Sequence, residues 1–204
     1  MSEVLIVDYG MGNLRSVYNS CRHCGVQPTV TGDPDLVRAA RKTILPGVGA
    51  FSEAMENLRK SGLEEALQSS RAEGASILGI CLGMQLMCTR SEEHGKHVGL
   101  GWIEADVVKF EDKSALIKVP HMGWNSLHFK RPHPVTEGIE SGLDAYFLHS
   151  YHVVCRYISD VVATSEHGNP FHSIVARDRI VGMQFHPEKS QHVGLKLLAN
   201  FLQR

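Results

Sequence analysis

Ile77-Leu78-Gly79-Ile80-Cys81-Leu82-Gly83-Met84-Gln85 decides the reading of this chain. An apolar run of strand length ends, a cysteine sits between glycines at minus two and plus two, and a helical pattern begins. That arrangement is the thiol counterpart of a nucleophile elbow, the sharp strand-to-helix turn that holds a reactive side chain clear of its backbone. The glycines suit a turn crowded by neighbouring strands. A cysteine at a helix N-terminus also faces unpaired N–H groups and the positive dipole end, and both favour the reactive thiolate. A buried core cysteine after a strand is the competing reading. The flanking glycines and the switch from strand to helix are what set Cys81 apart from it.

Working outward, the first half alternates between the two periods. Residues 3–8 (EVLIVD) form a short apolar run, as in a buried parallel strand. Residues 10–13 (GMGN) turn the chain, and Leu14, Val17, Tyr18 and Cys21 recur at helical spacing up to Gly25. A weaker strand follows near Thr29, and residues 42–45 form another that ends in Pro46-Gly47-Val48-Gly49. Residues 51–60 and 63–73 read as helices, 75–80 as strand and 83–89 as helix. This alternation predicts an α/β fold, a parallel sheet with helices on both faces. In the second half, residues 104–110, 146–154 and 174–184 suggest antiparallel strands added to that sheet. Residues 190–202 close the chain with a helix whose stripe is Val193, Leu197, Leu198 and Phe201. No repeat, low-complexity tract or linker divides it, so one domain over 1–204 is expected.

Composition narrows the function classes. The 204 residues are 43% hydrophobic and 21% charged, with a formal net charge of −1. Nothing in that balance points to nucleic acid or an anionic membrane surface. No apolar run approaches the roughly 20 residues that span a bilayer. The N-terminus lacks the basic region of a signal peptide. Five irregularly spaced cysteines do not form a disulfide framework, which favours a reduced, cytoplasmic setting. A lone Gly10-Met11-Gly12 is weak evidence for a nucleotide, because Arg15 stands where a third glycine belongs and no phosphate-binding loop occurs. One C-x-x-C (Cys21-Arg22-His23-Cys24) without a second pair fits packing better than a metal.

Two further segments complete a possible catalytic set. Phe185-His186-Pro187-Glu188 ends a strand-like run. In extended chain, residues i and i+2 face the same side, so His186 and Glu188 are expected side by side. Pro187 restrains itself and its predecessor. A carboxylate on one imidazole nitrogen leaves the other for the thiol, the logic of a triad. Alone, this is an ordinary His–Glu pair; with the elbow upstream it is a base and its orienter. Pro46-Gly47-Val48-Gly49 follows a parallel strand, at the sheet edge where α/β proteins bind ligands. The amides of Val48 and Leu82 are candidates for an oxyanion site. A plain strand-to-helix turn would read the same.

Taken together, PGVG, GICLGMQ and HPE, in that order, resemble the class I glutamine amidotransferases. Within that family, DYGMGN, PGVGAF, Pro120-His121-Met122-Gly123-Trp124-Asn125, His149-Ser150-Tyr151 and FHPEKSQHVGL look like the glutaminase subunits of imidazole glycerol phosphate synthase, of histidine biosynthesis. The resemblance runs from Val7 to Leu202. It implies a flavodoxin-like three-layer α/β/α domain that releases ammonia from L-glutamine. The catalytic residues would be Cys81, His186 and Glu188, with the oxyanion at Val48 and Leu82. A glutamine pocket of Gly49, Gln85, Glu93, Ser150 and Tyr151 is implied, although Glu92 competes for the place of Glu93. Gln85 also lies one helical turn past Cys81 on the same face. The family's partner is a separate (β/α)8-barrel cyclase, met near the ammonia passage at the positions of Asn13, Trp124 and Lys189. His128, Lys130 and Arg131 fit either that interface or a solvated hairpin. No metal or organic cofactor is implied. Relatives that feed other synthases, for example in making aminated surface sugars, share the triad, so the partner stays open.

Overall fold

The computed structural model describes residues 4–110 and 117–203. In chain order the elements are β1 (Val4–Val7), α1 (Leu14–His23), β2 (Thr29–Thr31), α2 (Pro34–Arg38), β3 (Lys42–Leu45), α3 (Phe51–Lys60), α4 (Leu63–Ala72), β4 (Ser76–Ile80) and α5 (Leu82–Leu86). There follow β5 (Cys88–Ser91), β6 (His97–Val98), β7 (Ile103–Lys109), β8 (His121–Ser126), β9 (His128–Phe129), β10 (Asp144–His149) and β11 (Tyr151–Cys155). The chain ends with β12 (Val161–His167), β13 (Asn169–Arg177), β14 (Ile180–Met183) and α6 (Gln191–Leu202).

Strands β2-β1-β3-β4-β14 lie side by side and parallel. Antiparallel strands β13, β11 and β7 continue the sheet, and β8 and β10 pair in a separate small one. Period-two alternation in β1 divides the core. Val4 and Ile6 pack with Val17 and Cys21 of α1 and Val193, Leu197, Leu198 and Phe201 of α6. Leu5 and Val7 pack on the opposite face with Phe51, Ala54 and Leu58 of α3 and Leu63 and Leu67 of α4. In α3 the buried positions follow the i, i+3, i+4, i+7 stripe of a helix with one face inward. Three layers result, as expected. Among the described residues, no helix is long and apolar enough to cross a membrane.

The alternating first half is observed, with residue 3 of the first predicted strand lying outside the described residues. Three expectations are corrected. The helix predicted over 83–89 stops at Leu86, and 88–91 become β5. From Leu86 on, the backbone carbonyls bond to the segment that leads into β7. Leu100 N–H donates to the Leu86 carbonyl at 2.8 Å, Trp102 N–H to Met87 at 2.9 Å and Gly101 N–H to Cys88 at 3.1 Å. The strand predicted over 146–154 breaks at Ser150, with β10 in the small sheet and β11 in the large one. The strand predicted over 174–184 is a hairpin. Its second arm, β14, lies parallel to β4 and not antiparallel to it. Helix α2 and strands β6, β8, β9 and β12 carried no expectation from sequence.

The β14–β4 pairing positions the site. Met183 is in register with Ile80, so the two chain ends emerge together at the carboxyl edge of the sheet. Cys81 N–H donates to the Met183 carbonyl at 2.8 Å. The elbow between β4 and α5 fits only without side chains at its glycines. A methyl on Gly79 would lie 2.6 Å from the Gly83 carbonyl oxygen, and one on Gly83 would overlap the Leu45 carbonyl of β3. Overpacking against backbone cannot be relieved by a rotamer change. Gly83→Ala should therefore cost about 3 kcal/mol or prevent folding. Urea denaturation checks this; a wild-type midpoint would mean that the close approach of β3 to the elbow is not a constraint.

Candidate active site

Cys81 sits in the left-handed half of backbone space, at φ 53° and ψ −107°. For a residue with a Cβ this costs on the order of 1–3 kcal/mol. The strand-to-helix transition is made in that single residue. Cys81 is buried, with Sγ 3.7 Å from the Leu148 carbonyl oxygen. Gln184 Nε2 approaches the sulfur at 3.9 Å and can donate to it. Gln184 was not anticipated from the sequence. It directly follows Met183, the register partner of Ile80, so only the β14–β4 pairing identifies it.

His186 is buried, and its Nδ1 lies 2.8 Å from Glu188 Oε1. The same ring interacts with Cys81, which raises its proton affinity. The pair does not meet through strand geometry, which corrects the expectation. His186 is extended, as its proline demands, but Pro187–Lys189 form a turn of 3-10 helix that swings Glu188 back to the imidazole. Ser190 fixes that turn. Its hydroxyl donates to the His186 carbonyl at 2.6 Å and accepts the Tyr146 N–H at 2.9 Å, while His186 N–H donates to the Tyr146 carbonyl at 2.9 Å. Burial alone would lower the proton affinity of His186. The hydrogen bonds and charges of Cys81 and Glu188 outweigh it and push its pKa up to about 10. Burial, with the charge of Cys81 adding to it, raises the Tyr9 phenol, which therefore stays a donor. Its hydroxyl donates to the Pro46 carbonyl at 2.7 Å and tethers the PGVG loop to the end of β1.

A cavity of about 240 Å3 opens over Cys81. Val48, Gly49, Leu82, Gln85, Glu93, Ser150, Tyr151, His186 and Lys189 line it, with Leu148 and His149. Leu82 is the first residue of α5, so its N–H has no acceptor within the helix. Of the adjacent pair of glutamates, Glu93 lines this cavity and Glu92 a different one. The Glu93 carboxylate also accepts the Phe51 N–H at 2.6 Å, capping α3 where Ala50 offers no side-chain cap. Gln85 is held by its own amide, which donates to the Tyr151 carbonyl at 2.9 Å and to Gln184 Oε1 at 3.2 Å.

The three positions expected near a partner separate. Lys189 lines the cavity and lies 5.8 Å from the Tyr146 ring. Trp124 is 50% exposed on β8 and meets the same ring edge-on at 5.9 Å. Asn13 lies outside the cavity and caps α1, its Oδ1 accepting the Ser16 N–H at 3.3 Å. Of the other candidates, Arg131 donates to the Ala176 carbonyl at 3.2 Å. A larger open groove of about 660 Å3 runs along residues 129–139 and contains none of the cysteine chemistry. Cys21 is buried and Cys24 Sγ contacts the Leu195 carbonyl at 3.5 Å, so the C-x-x-C packs α1 against α6. Among the described residues, no group of three or more His, Cys, Asp or Glu side chains could hold a metal ion.

Comparison with known proteins agrees with this chemistry. The profile of the family described as glutamine amidotransferase class-I matches residues 5–204. The chain is 47% identical over 202 residues to "Imidazole glycerol phosphate synthase subunit HisH" of Syntrophotalea carbinolica, covering 97% of this chain and 98% of that protein. A protein of the same name from Sulfurimonas denitrificans is 48% identical over 200 residues, covering 97% and 96%. Among solved structures, PurLQS from Thermotoga maritima superposes with a TM-score of 0.76 at 18% identity, covering 100% of this chain and 99% of that one. A glutamine amidotransferase from Thermotoga maritima gives 0.63 at 16% identity, covering 91% and 75%. These two share the fold. A cysteine strained between glycines, a buried His–Glu pair against it and a full-length family match lead to one conclusion: the chain belongs to the class-I glutamine amidotransferases.

Proposed function

We propose that this chain is the glutaminase subunit of an imidazole glycerol phosphate synthase, hydrolysing L-glutamine at Cys81 and passing ammonia to a separate cyclase. The observation that carries the chemistry is the buried Cys81–His186–Glu188 set at the floor of a cavity sized for a small amide. The pathway rests on the near-full-length relatives of that name.

In this reading the Cys81 thiolate attacks the side-chain amide carbon of glutamine. The amides of Val48 and Leu82 stabilise the oxyanion. His186, as imidazolium, protonates the departing nitrogen; the C–N bond breaks, ammonia leaves and a γ-glutamyl thioester remains on Cys81. Acylation removes the thiolate. The hydrogen bond and charge of Cys81 that hold a proton on His186 then disappear, leaving Glu188 alone against burial. The proton affinity of His186 falls, and it becomes a base able to take a proton from water. Hydroxide attack on the thioester gives glutamate and restores the thiolate. Glu188 holds the Nδ1 proton throughout and keeps Nε2 toward the sulfur.

Gly49, Gln85, Glu93, Ser150 and Tyr151 form the glutamine pocket in this account. Glu93 fits the α-amino group by charge. Gln85 acts chiefly by fixing the Tyr151 backbone, because its amide is already engaged there. Asn13, Trp124 and Lys189 meet the (β/α)8-barrel partner. The exposed apolar side chains of Val48, Met122, Trp124 and Leu148 support docking on this side. The whole chain acts as one domain, without a cofactor. A cytoplasmic setting completes the reading, and there the five free cysteines, Cys81 included, stay reduced.

Glutamate release, assayed with the cyclase and its ribonucleotide substrate, should be stimulated by the partner and fall about 1,000-fold or more in Cys81→Ala. Cysteine-dependent release without stimulation would assign a different synthase; undiminished release in Cys81→Ala would refute the mechanism. The elevated His186 pKa makes a second prediction. Its stabilising contribution is complete below the unfolded value of 6.5 and is lost as pH rises through about 10. Over that window the melting temperature of the wild type should fall more steeply than that of Glu188→Gln. Parallel curves would contradict the ion-pair account.

A further inference from the structure

Asn125, His121 and His149 form a hydrogen-bonded series whose proton positions are fixed by their neighbours. Asn125 Oδ1 accepts the Ser126 N–H at 2.9 Å, and Nδ2 donates to the Glu166 carbonyl at 2.7 Å. The amide therefore has one orientation, and the atom it turns toward His121 Nε2, at 3.1 Å, is a donor. His121 Nε2 must accept, so its proton is on Nδ1. That nitrogen lies 3.0 Å from His149 Nε2, which must accept in turn. The His149 proton is then on Nδ1, donated to the Tyr151 carbonyl at 2.8 Å. A second proton on either ring would set two N–H groups against each other. The series works only with both rings neutral.

The surroundings agree. Both histidines are buried, among Phe110, Phe147 and Phe171, and the His167 ring stacks on His121 at 4.3 Å. Among the described residues, the titratable neighbours that act on them are further histidines, His152 and His167, with no carboxylate to favour an imidazolium. Burial, with the charge of His167, lowers His121 to about 4, and burial lowers His149 well below its usual value.

The two ends of the series give it a role. His121 and Asn125 alternate along β8 with Met122 and Trp124, which are 67% and 50% exposed on the opposite face. The His149–Tyr151 bond spans Ser150, where the chain leaves the small sheet for the large one, and Ser150 and Tyr151 line the cavity. The same Tyr151 carbonyl accepts from Gln85, which donates to Gln184, which donates to the Cys81 sulfur. We propose that His121 and His149 are positioning residues for glutamine, two neutral Nδ1–H imidazoles in series that clamp the Ser150–Tyr151 wall of the cavity to strand β8. The proposal rests on reading that cavity as the glutamine pocket.

The test compares His149→Leu with His149→Asn in the full chain assembled with its cyclase. Asparagine keeps an N–H near the position of Nδ1; leucine keeps bulk only. Leucine should raise KM for glutamine about 10-fold with kcat within about 3-fold, and asparagine should restore most of the loss. A leucine variant with wild-type KM, or an equal rise in both variants, overturns the proposal. So does a fall in melting temperature with unchanged kinetics, because that is a packing role alone. Nitrogen-15 NMR of the wild-type imidazoles at neutral pH tests it without any variant. Both rings should be neutral with Nδ1 protonated, the minor tautomer of a free histidine. An imidazolium or an Nε2–H tautomer at either position overturns it. If the wild-type complex does not hydrolyse glutamine, the functional reading fails instead, and the NMR result still decides the hydrogen-bond series.

Discussion

Strand β4 passes into α5 through one strained residue, and the rest of the site is arranged around keeping it there. Cys81 sits at φ 53° between Gly79 and Gly83, both crowded by backbone, with β14 lying along β4 in register. The strain is small beside the burial of the sheet, but it is concentrated on one side chain. It turns Sγ outward at the carboxyl edge, toward the imidazole that the neighbouring strand delivers. A parallel β14 is essential to this; an antiparallel arm would place the His186 segment at the other edge.

Electrostatics then divide the labour. His186 is buried, which disfavours its charge, yet Cys81 and Glu188 beside it more than compensate. In the proposed mechanism one of those two supports is the nucleophile itself, so bond formation at sulfur changes the proton affinity of the base. One imidazole can serve as acid before acylation and base after it without moving. Behind the cavity wall, His121 and His149 have the opposite environment, aromatic and without anions among the described residues, and remain neutral. Buried histidines of one site are thus driven in opposite directions by what lies beside them.

Much of this was legible in the sequence, for reasons that can be named. The parallel half is written in short apolar runs closed by glycine, and the elbow in two glycines around a cysteine. The second half was less legible because its strands are chosen by partners far along the chain. Thr89 looked helical, yet it lies in β5, a strand fixed by pairing with β6 and β7 further along the chain. Ser150 looked like mid-strand, yet it is where the chain changes sheets. His186 and Glu188 were expected to meet through extended geometry and meet through a 3-10 turn locked by Ser190. Gln184 was missed because its contact with Cys81 spans 103 residues and depends on strand register. The tautomer of His149 is set by Asn125, which no local pattern connects to it.

The claim on which the account depends is a covalent γ-glutamyl intermediate on Cys81. The direct measurement is acid quenching during glutamine turnover, followed by mass spectrometry of the cysteine-containing peptides. The account predicts a γ-glutamyl group on the Cys81 peptide and none on those carrying Cys21, Cys24, Cys88 or Cys155. Glutamate forming while Cys81 stays unmodified through the pre-steady-state phase, or an adduct on another cysteine, would contradict it.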